Sequence, residues 1–218
     1  MHIETSDQEK LTLGYGNYTC NWGVHFCGLY ETESERDDII LGFLHQGDSD
    51  GDLQLYCPSE RSREDFIAQY ATLCDDCAAT VQDPDRFRLH STEALYYPDG
   101  VFSPLKMDEG LNAFFKASQV DGPRNIRATA EMTWALRAIP GVEYLMVYES
   151  RLNYFIARKP WISVCMYNVK KFSGATIMQV LRTHPYVISK GCITENPFYE
   201  DPQIWLKNNY IEFLEANA

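Results

Sequence analysis

The most informative pattern in the chain is the alternation at residues 126–137. Ile126, Ala128, Ala130 and Met132 fall on one side of an extended chain, and Arg127, Thr129, Glu131 and Thr133 on the other. A polar stripe of this kind is expensive to bury without partners. It therefore either meets water at a sheet surface or lines a site. Compact apolar runs at 24–30, 53–57 and 161–167 predict three further strands, and 186–189 with 193–194 predict a closing strand pair or hairpin.

Between the strands the apolar period becomes helical. Thr32-Glu33-Ser34-Glu35 is a capping-box pattern for a helix over 33–46. Ser62 with Glu64 and Asp65 opens another, whose apolar face is Phe66, Tyr70, Leu73 and Cys77. Ser103-Pro104 starts a third, buried through Met107, Leu111, Phe114 and Phe115 and stopped by Gly122-Pro123. Further helices are expected over about 142–157, after a Ser173 cap, and over 202–215 with Trp205, Tyr210, Phe213 and Leu214. Residues 87–90 and 94–97 fit strand or extended chain around a turn. Residues 1–20 read as a polar lead-in with weak structure. Residues 21–218 read as one domain, without repeats or a dividing linker. Strand and helix alternate nearly throughout, which predicts an α/β fold with a mainly parallel central sheet flanked by helices.

Composition narrows the function classes. With 218 residues, 45% hydrophobic and 23% charged, the chain can bury a sizeable core and is not a disordered segment. The net charge of -12 argues against direct nucleic-acid binding and against an anionic membrane surface, both of which need clustered Lys and Arg. The first residues lack the basic and apolar regions of a signal peptide, and no apolar run approaches the roughly 18 residues of a membrane span. A cytoplasmic location is expected. The seven cysteines, odd in number and scattered, read as reduced thiols rather than a disulfide frame.

Candidate chemistry is sparse. The loop after the first long strand is Tyr30-Glu31-Thr32-Glu33-Ser34-Glu35, and no glycine-rich loop ending in Lys-Ser or Lys-Thr exists in the chain. Carboxylates at a helix start satisfy its free N–H groups and repel a phosphate, so an active P-loop NTPase is not expected. His25 and Cys27 share one strand face, roughly 6–7 Å apart. They are weak candidates for a metal or haem pair; the alternative is a packed strand with a satisfied imidazole and an apolar thiol. Cys74-x-x-Cys77 falls near the end of a predicted helix and has no second motif to complete a zinc site, so it reads as core or partly exposed cysteine. Arg127 and Glu131 stand about 13 Å apart along a strand and need other partners; Glu149, Arg151 and Glu195 are the candidates, in a site or in a structural network. Tyr30, Trp134 and Tyr167 could line an apolar pocket outside the carboxyl ends of the strands, or could be core. No Gly-x-Ser-x-Gly elbow is present, and His184-Pro185 reads as a turn rather than a base.

Several of these segments together resemble one family. Val24-His25-Phe26-Cys27 with Tyr30-Glu31 is similar to a His-x-Cys-x-x-Tyr opening. Arg127 to Leu136 is similar to an Arg-x-x-Gly-Glu-Met-x-Trp-x-Leu block, and Tyr148-Glu149-Ser150-Arg151-Leu152-Asn153 to a Tyr-Glu-x-x-Leu-Asn helix. Cys165-Met166-Tyr167, Phe172, Leu181-Arg182-Thr183-His184-Pro185 and Glu195-Asn196-Pro197-Phe198-Tyr199 follow in the same order. This set resembles the MEDS domain, the methanogen/methylotroph DcmR-type sensory domain, over about residues 22–200. The resemblance implies a RecA- or KaiC-like layout without a phosphate loop. It also implies a prokaryotic sensory input module for simple hydrocarbon derivatives. Ala130 stands where the family pattern has Gly, which tightens any pocket there, and Asn168 stands where Asp often follows Cys-x-Tyr.

The expected function is thus signal transduction or transcription regulation by a non-enzymatic module. It binds a small organic ligand through His25, Cys27, Tyr30, Arg127, Glu131, Trp134, Glu149 and Tyr167. It needs no cofactor and acts through a separate signalling protein, a kinase or a transcription regulator, with homo-oligomers possible. The alternatives are a metal- or haem-dependent redox sensor or enzyme using His25 and Cys27, and a pure protein-interaction module.

Overall fold

The structure is a computed structural model and describes residues 10–210. A small ribbon, β1 (Leu11–Thr12) with β2 (Thr19–Cys20), precedes the main sheet. There follow β3 (His25–Tyr30), α1 (Glu33–Asp50), β4 (Leu53–Cys57), α2 (Arg63–Tyr70), α3 (Cys77–Thr80) and β5 (Phe87–Leu89). Next come α4 (Thr92–Tyr96), α5 (Pro104–Ser118), β6 (Ile126–Glu131), two short 3-10 segments (Met132–Leu136 and Val142–Tyr144) and α6 (Leu145–Ile156). The described chain closes with β7 (Trp161–Asn168), α7 (Gly174–Thr183), β8 (Tyr186–Ser189), β9 (Cys192–Glu195) and α8 (Pro202–Asn209).

The sheet order is β5-β4-β6-β7-β3-β8-β9. Every pairing is parallel except the β8–β9 hairpin. The expected α/β architecture with a mainly parallel sheet is what the chain forms. Central strands buried on both faces need apolar side chains in both directions, and β7 meets this demand, since all eight of its residues are buried. One core lies beneath α1, α2 and α3 and collects Phe26, Tyr30, Tyr56, Ile162, Val164 and Met166 from the strands. The other lies beneath α4 to α8 and collects Cys27, Leu55, Ala128, Ala130, Trp161, Cys165 and Tyr167. Successive strand residues thus serve opposite cores.

Four local expectations are corrected. Helix α1 runs to Asp50 rather than 46 because Gly51, at φ 74°, supplies the left-handed cap that ends it. Residues 92–96 are helical, since the Ser91 hydroxyl accepts from Ala94 N–H as an N-cap. Helix α2 stops at Tyr70, so Leu73 is partly exposed and Cys77 begins a separate turn of helix. The lead-in is not loosely structured from residue 10 onward: Leu11 and Leu13 are buried, and the carbonyls of Thr12 and Leu13 accept from the Arg127 guanidinium. Of the closing helix, Phe213 and Leu214 lie outside the described residues.

Candidate functional site

The polar stripe of β6 is buried, not solvated: Arg127, Thr129 and Glu131 are at most 3% exposed. Each has partners on the α1 side of the sheet. Arg127 donates from Nε to Asp52 at 2.7 Å and from Nη2 to Asp50 at 2.7 Å. Gly47 is required where α1 crosses this side chain, since a Cβ there would lie 2.6 Å from Arg127 Cδ. Thr129 Oγ1 donates to the Val164 carbonyl at 2.9 Å.

Glu131 ends the strand and clamps the loop that follows β4. Its Oε2 accepts from the backbone N–H groups of Ser59 at 2.9 Å and Glu60 at 2.5 Å, and its Oε1 accepts from Tyr56 Oη at 2.5 Å. Arg36 and Arg61 bring their Nε atoms to 3.6 and 3.8 Å of Oε1. Burial, and then the Glu131 carboxylate, push the Tyr56 hydroxyl well above its ordinary pKa, which keeps it a donor. The clamped loop presents Glu60, which accepts from Tyr30 Oη at 2.8 Å and Lys171 Nζ at 3.0 Å. At the start of α1 the Glu35 carboxylate takes the N–H groups of Glu31 and Thr32. The carboxyl edge on this face is thus filled by the protein's own acids and their donors.

A second buried polar group forms on the opposite face, beneath α6 and α7. His25 opens β3, Cys165 lies in mid-β7, Glu149 projects from α6, and His184 follows the last turn of α7. The exposure of the four residues is 4% or less. His25 Nε2 lies 3.3 Å from Cys165 Sγ and 3.4 Å from Glu149 Oε2. His184 Nε2 lies 3.4 Å from the same carboxylate oxygen, and the two imidazole centroids are 4.0 Å apart. Glu149 Oε1 accepts from Tyr167 Oη at 2.5 Å. Burial, and then His184, lower His25 to about 4, so its ring is neutral near pH 7. Burial opposes ionisation of Glu149, but the adjoining imidazoles of His184 and His25 outweigh it and hold the carboxyl well below the usual range. Burial and the Glu149 carboxylate push the Cys165 thiol far up.

Cys165 also walls a cavity of about 30 Å³ between the sheet and helices α4, α5 and α6. Its lining is almost entirely apolar, with Leu55, Tyr96, Ala128, Ala130, Tyr148 and Trp161 contributing. The sheet register sets Cys165 level with Ala130 on one neighbour strand and Cys27 on the other. A shallower groove of about 430 Å³ lies at the carboxyl edge, lined by Ala135, Leu136, Leu145, Met146 and Phe172.

The eight expected ligand-binding residues therefore do not share one site. Tyr30, Arg127 and Glu131 face the α1 side, whereas His25, Cys27, Glu149 and Tyr167 face the α6 side. Trp134 is buried beyond the end of β6 and stacks on Tyr96 at 4.4 Å. The partners expected for the stripe are also corrected. Arg151 pairs with Asp108, Glu195 is exposed, and Glu149 lies across the sheet from Arg127 and Glu131. His25 joins Cys165 rather than Cys27, whose thiol donates instead to the Tyr186 carbonyl at 3.6 Å. His184, read as part of a turn, is a central member of the α6-side group. Its signal was the Leu-Arg-Thr-His-Pro segment, whose His sits beside a helix end and can turn inward. Tyr56, Glu60, Arg36 and Arg61 carried no spacing signal, because only the packing of α1 and the loop after β4 against β6 brings them to Glu131, and Cys165 was visible only as a motif member. The cysteine reading is corrected in one place: Cys74 and Cys77 form a disulfide.

Comparison with known proteins follows the same outline. The family model of the MEDS domain, "MEthanogen/methylotroph, DcmR Sensory domain", matches residues 24–185. The transcriptional repressor DcmR of Methylorubrum extorquens (strain DSM 6343 / CIP 106787 / DM4) is 22% identical over 161 residues, covering 73% of this chain and 57% of the repressor. The chain thus spans little more than half of that relative. Among solved structures, a KaiC-like protein of Pyrococcus horikoshii OT3 superposes with a TM-score of 0.59 at 12% identity, over 83% of this chain and 80% of that one. The flagellar accessory protein FlaH of Methanocaldococcus jannaschii superposes with a TM-score of 0.55 at 14% identity, over 79% and 75% respectively. At such identities these two likenesses describe the fold. Among the described residues no helix is long and apolar enough to cross a membrane.

Proposed function

The chain belongs to the MEDS sensory-domain family, and from that premise we propose that it is a non-catalytic sensory module whose ligand is a one- or two-carbon organic molecule. The observation that carries this reading is the apolar cavity of about 30 Å³ walled by Cys165. A space of that size exceeds the roughly 10–15 Å³ that one water requires, yet it is far below a drug-sized pocket. It suits a molecule of a few heavy atoms, with the buried polar group next to it available to answer a polar substituent. The groove at the carboxyl edge is larger, but no buried polar side chain converges on it. The Glu131 side is a poorer candidate, because that carboxylate is already engaged on both oxygens.

Occupancy of the cavity would stiffen the contact between β6, β7 and α6. A kinase or transcription regulator on a separate chain would read that change at the surface, which is a population shift driven by differential affinity. The name of the repressor relative supports a regulatory output of this kind.

The test is thermal unfolding with a panel of one- and two-carbon alcohols, amines and halocarbons. A ligand at a hundredfold over its Kd adds about 2.7 kcal/mol, which raises Tm by about 5–10 °C in a chain of this size. Ala130→Leu fills the cavity and is expected to abolish the shift while the variant still unfolds cooperatively. No shift in the wild-type protein, or an equal shift in Ala130→Leu, overturns the reading.

A further inference from the structure

We propose that His25 Nε2, Glu149 Oε2, Cys165 Sγ and His184 Nε2 together hold one divalent transition-metal ion, of which Zn²⁺ is the type. The four atoms lie within 4.8 Å of one another, and all four residues are buried. Donors about 2.0–2.3 Å from a tetrahedral ion stand about 3.3–3.7 Å from each other. The contacts of 3.3 Å between His25 and Cys165, and of 3.4 Å from each imidazole to Glu149, match those edges.

The hydrogen bonding points the same way. His184 Nδ1 lies 2.8 Å from the Val180 carbonyl, which can only accept, so the proton is on Nδ1. Nε2 is thereby left facing the Glu149 carboxylate oxygen. Among the described residues no hydrogen bond reaches either His184 Nε2 or Glu149 Oε2. A cation between the donors gives both of these atoms a partner and is reached by His25 Nε2 and Cys165 Sγ as well.

The outer partners are those a metal ligand needs. Tyr167 Oη fixes Glu149 through the other oxygen, and the Val180 carbonyl fixes the His184 tautomer. Binding displaces the Cys165 thiol proton to solvent, and the resulting thiolate with the Glu149 carboxylate balances the charge of a divalent ion. One sulfur, two imidazoles and one carboxylate suit zinc better than calcium or magnesium. The inference does not rest on the ligand reading, although the same buried polar group borders the cavity that reading uses. It replaces the pairing of His25 with Cys27 by a set that only the folded chain brings together.

The full chain, stripped with chelator and titrated with Co²⁺, tests this. Expected are one equivalent bound, visible bands of a tetrahedral ion, and a near-ultraviolet thiolate charge-transfer band displaced by Zn²⁺. Cys165→Ser removes the charge-transfer band but keeps weaker binding, whereas Cys74→Ser/Cys77→Ser leaves the spectrum unchanged. Should His184→Gln or Glu149→Gln misfold, as read by circular dichroism, the two cysteine variants still decide the question. Failure of Co²⁺ and Zn²⁺ to bind at one equivalent overturns the proposal. So does a charge-transfer band that survives in Cys165→Ser.

Discussion

Glu131 and Glu149 are both fully buried acids, on opposite sides of the same sheet, and their surroundings differ in kind. Glu131 accepts from two backbone N–H groups and a tyrosine hydroxyl, with two guanidinium groups close by. Glu149 is held through one oxygen by Tyr167, while the other faces two imidazoles without a hydrogen bond. A buried charge costs several kcal/mol unless it is paired and hydrogen-bonded. Full satisfaction is what a structural clamp looks like. Partial satisfaction in a preformed group of metal-type donors is what a site looks like before its ligand arrives. On the α1 face the carboxyl edge of the sheet is framework, and the incompletely bonded acid lies on the other face.

Substitutions sharpen this contrast, beginning with the largest effect. Arg127→Leu leaves Asp52 buried without its cation and is expected to cost about 3–5 kcal/mol in urea unfolding, with little change in response to any ligand on the α6 side. A cost below about 1 kcal/mol would remove Arg127 from the framework. Tyr167→Phe strips Glu149 of its one hydroxyl donor and should cost about 1–3 kcal/mol. In the same variant any metal affinity should fall about 10–100-fold, as for other outer-shell partners. Thr129→Val deletes a single bond to the Val164 carbonyl and should cost about 1 kcal/mol; a larger loss would show that packing around β6 is less tolerant than the contrast assumes.

The sequence made much of the frame legible. Strand runs and helix caps locate most elements, because capping and apolar period are local properties. The errors fall where local signals compete. The capping pattern predicts a helix that stops at 46, but the cap at Gly51 extends α1 to Asp50. Residues 94–97 carry aromatic side chains that suggest extended chain, whereas the Ser91 cap makes 92–96 helical. The site is a different matter. Strand periodicity already sends His25 and Tyr30, five residues apart, to opposite faces. Which face Glu131 joins depends on how β6 sits beside β7 and β4, and that register is not written in any one strand. Glu149 and Tyr167 were visible as motif members, whereas their grouping with Cys165 and His184 requires the packing of α6 and α7 over the sheet.

The most direct test compares two isosteric variants, Glu131→Gln and Glu149→Gln, by urea unfolding in the presence of chelator. A glutamine at 131 must turn its amide N–H₂ toward existing donors and removes the charge facing Arg36 and Arg61, so a loss of about 3–5 kcal/mol is expected. A glutamine at 149 keeps an acceptor for Tyr167 and gives His184 Nε2 the donor it lacks. Its stability should stay within about 1 kcal/mol of wild type or rise. Equal and large losses for both variants would contradict the account, because Glu149 would then be framework as Glu131 is.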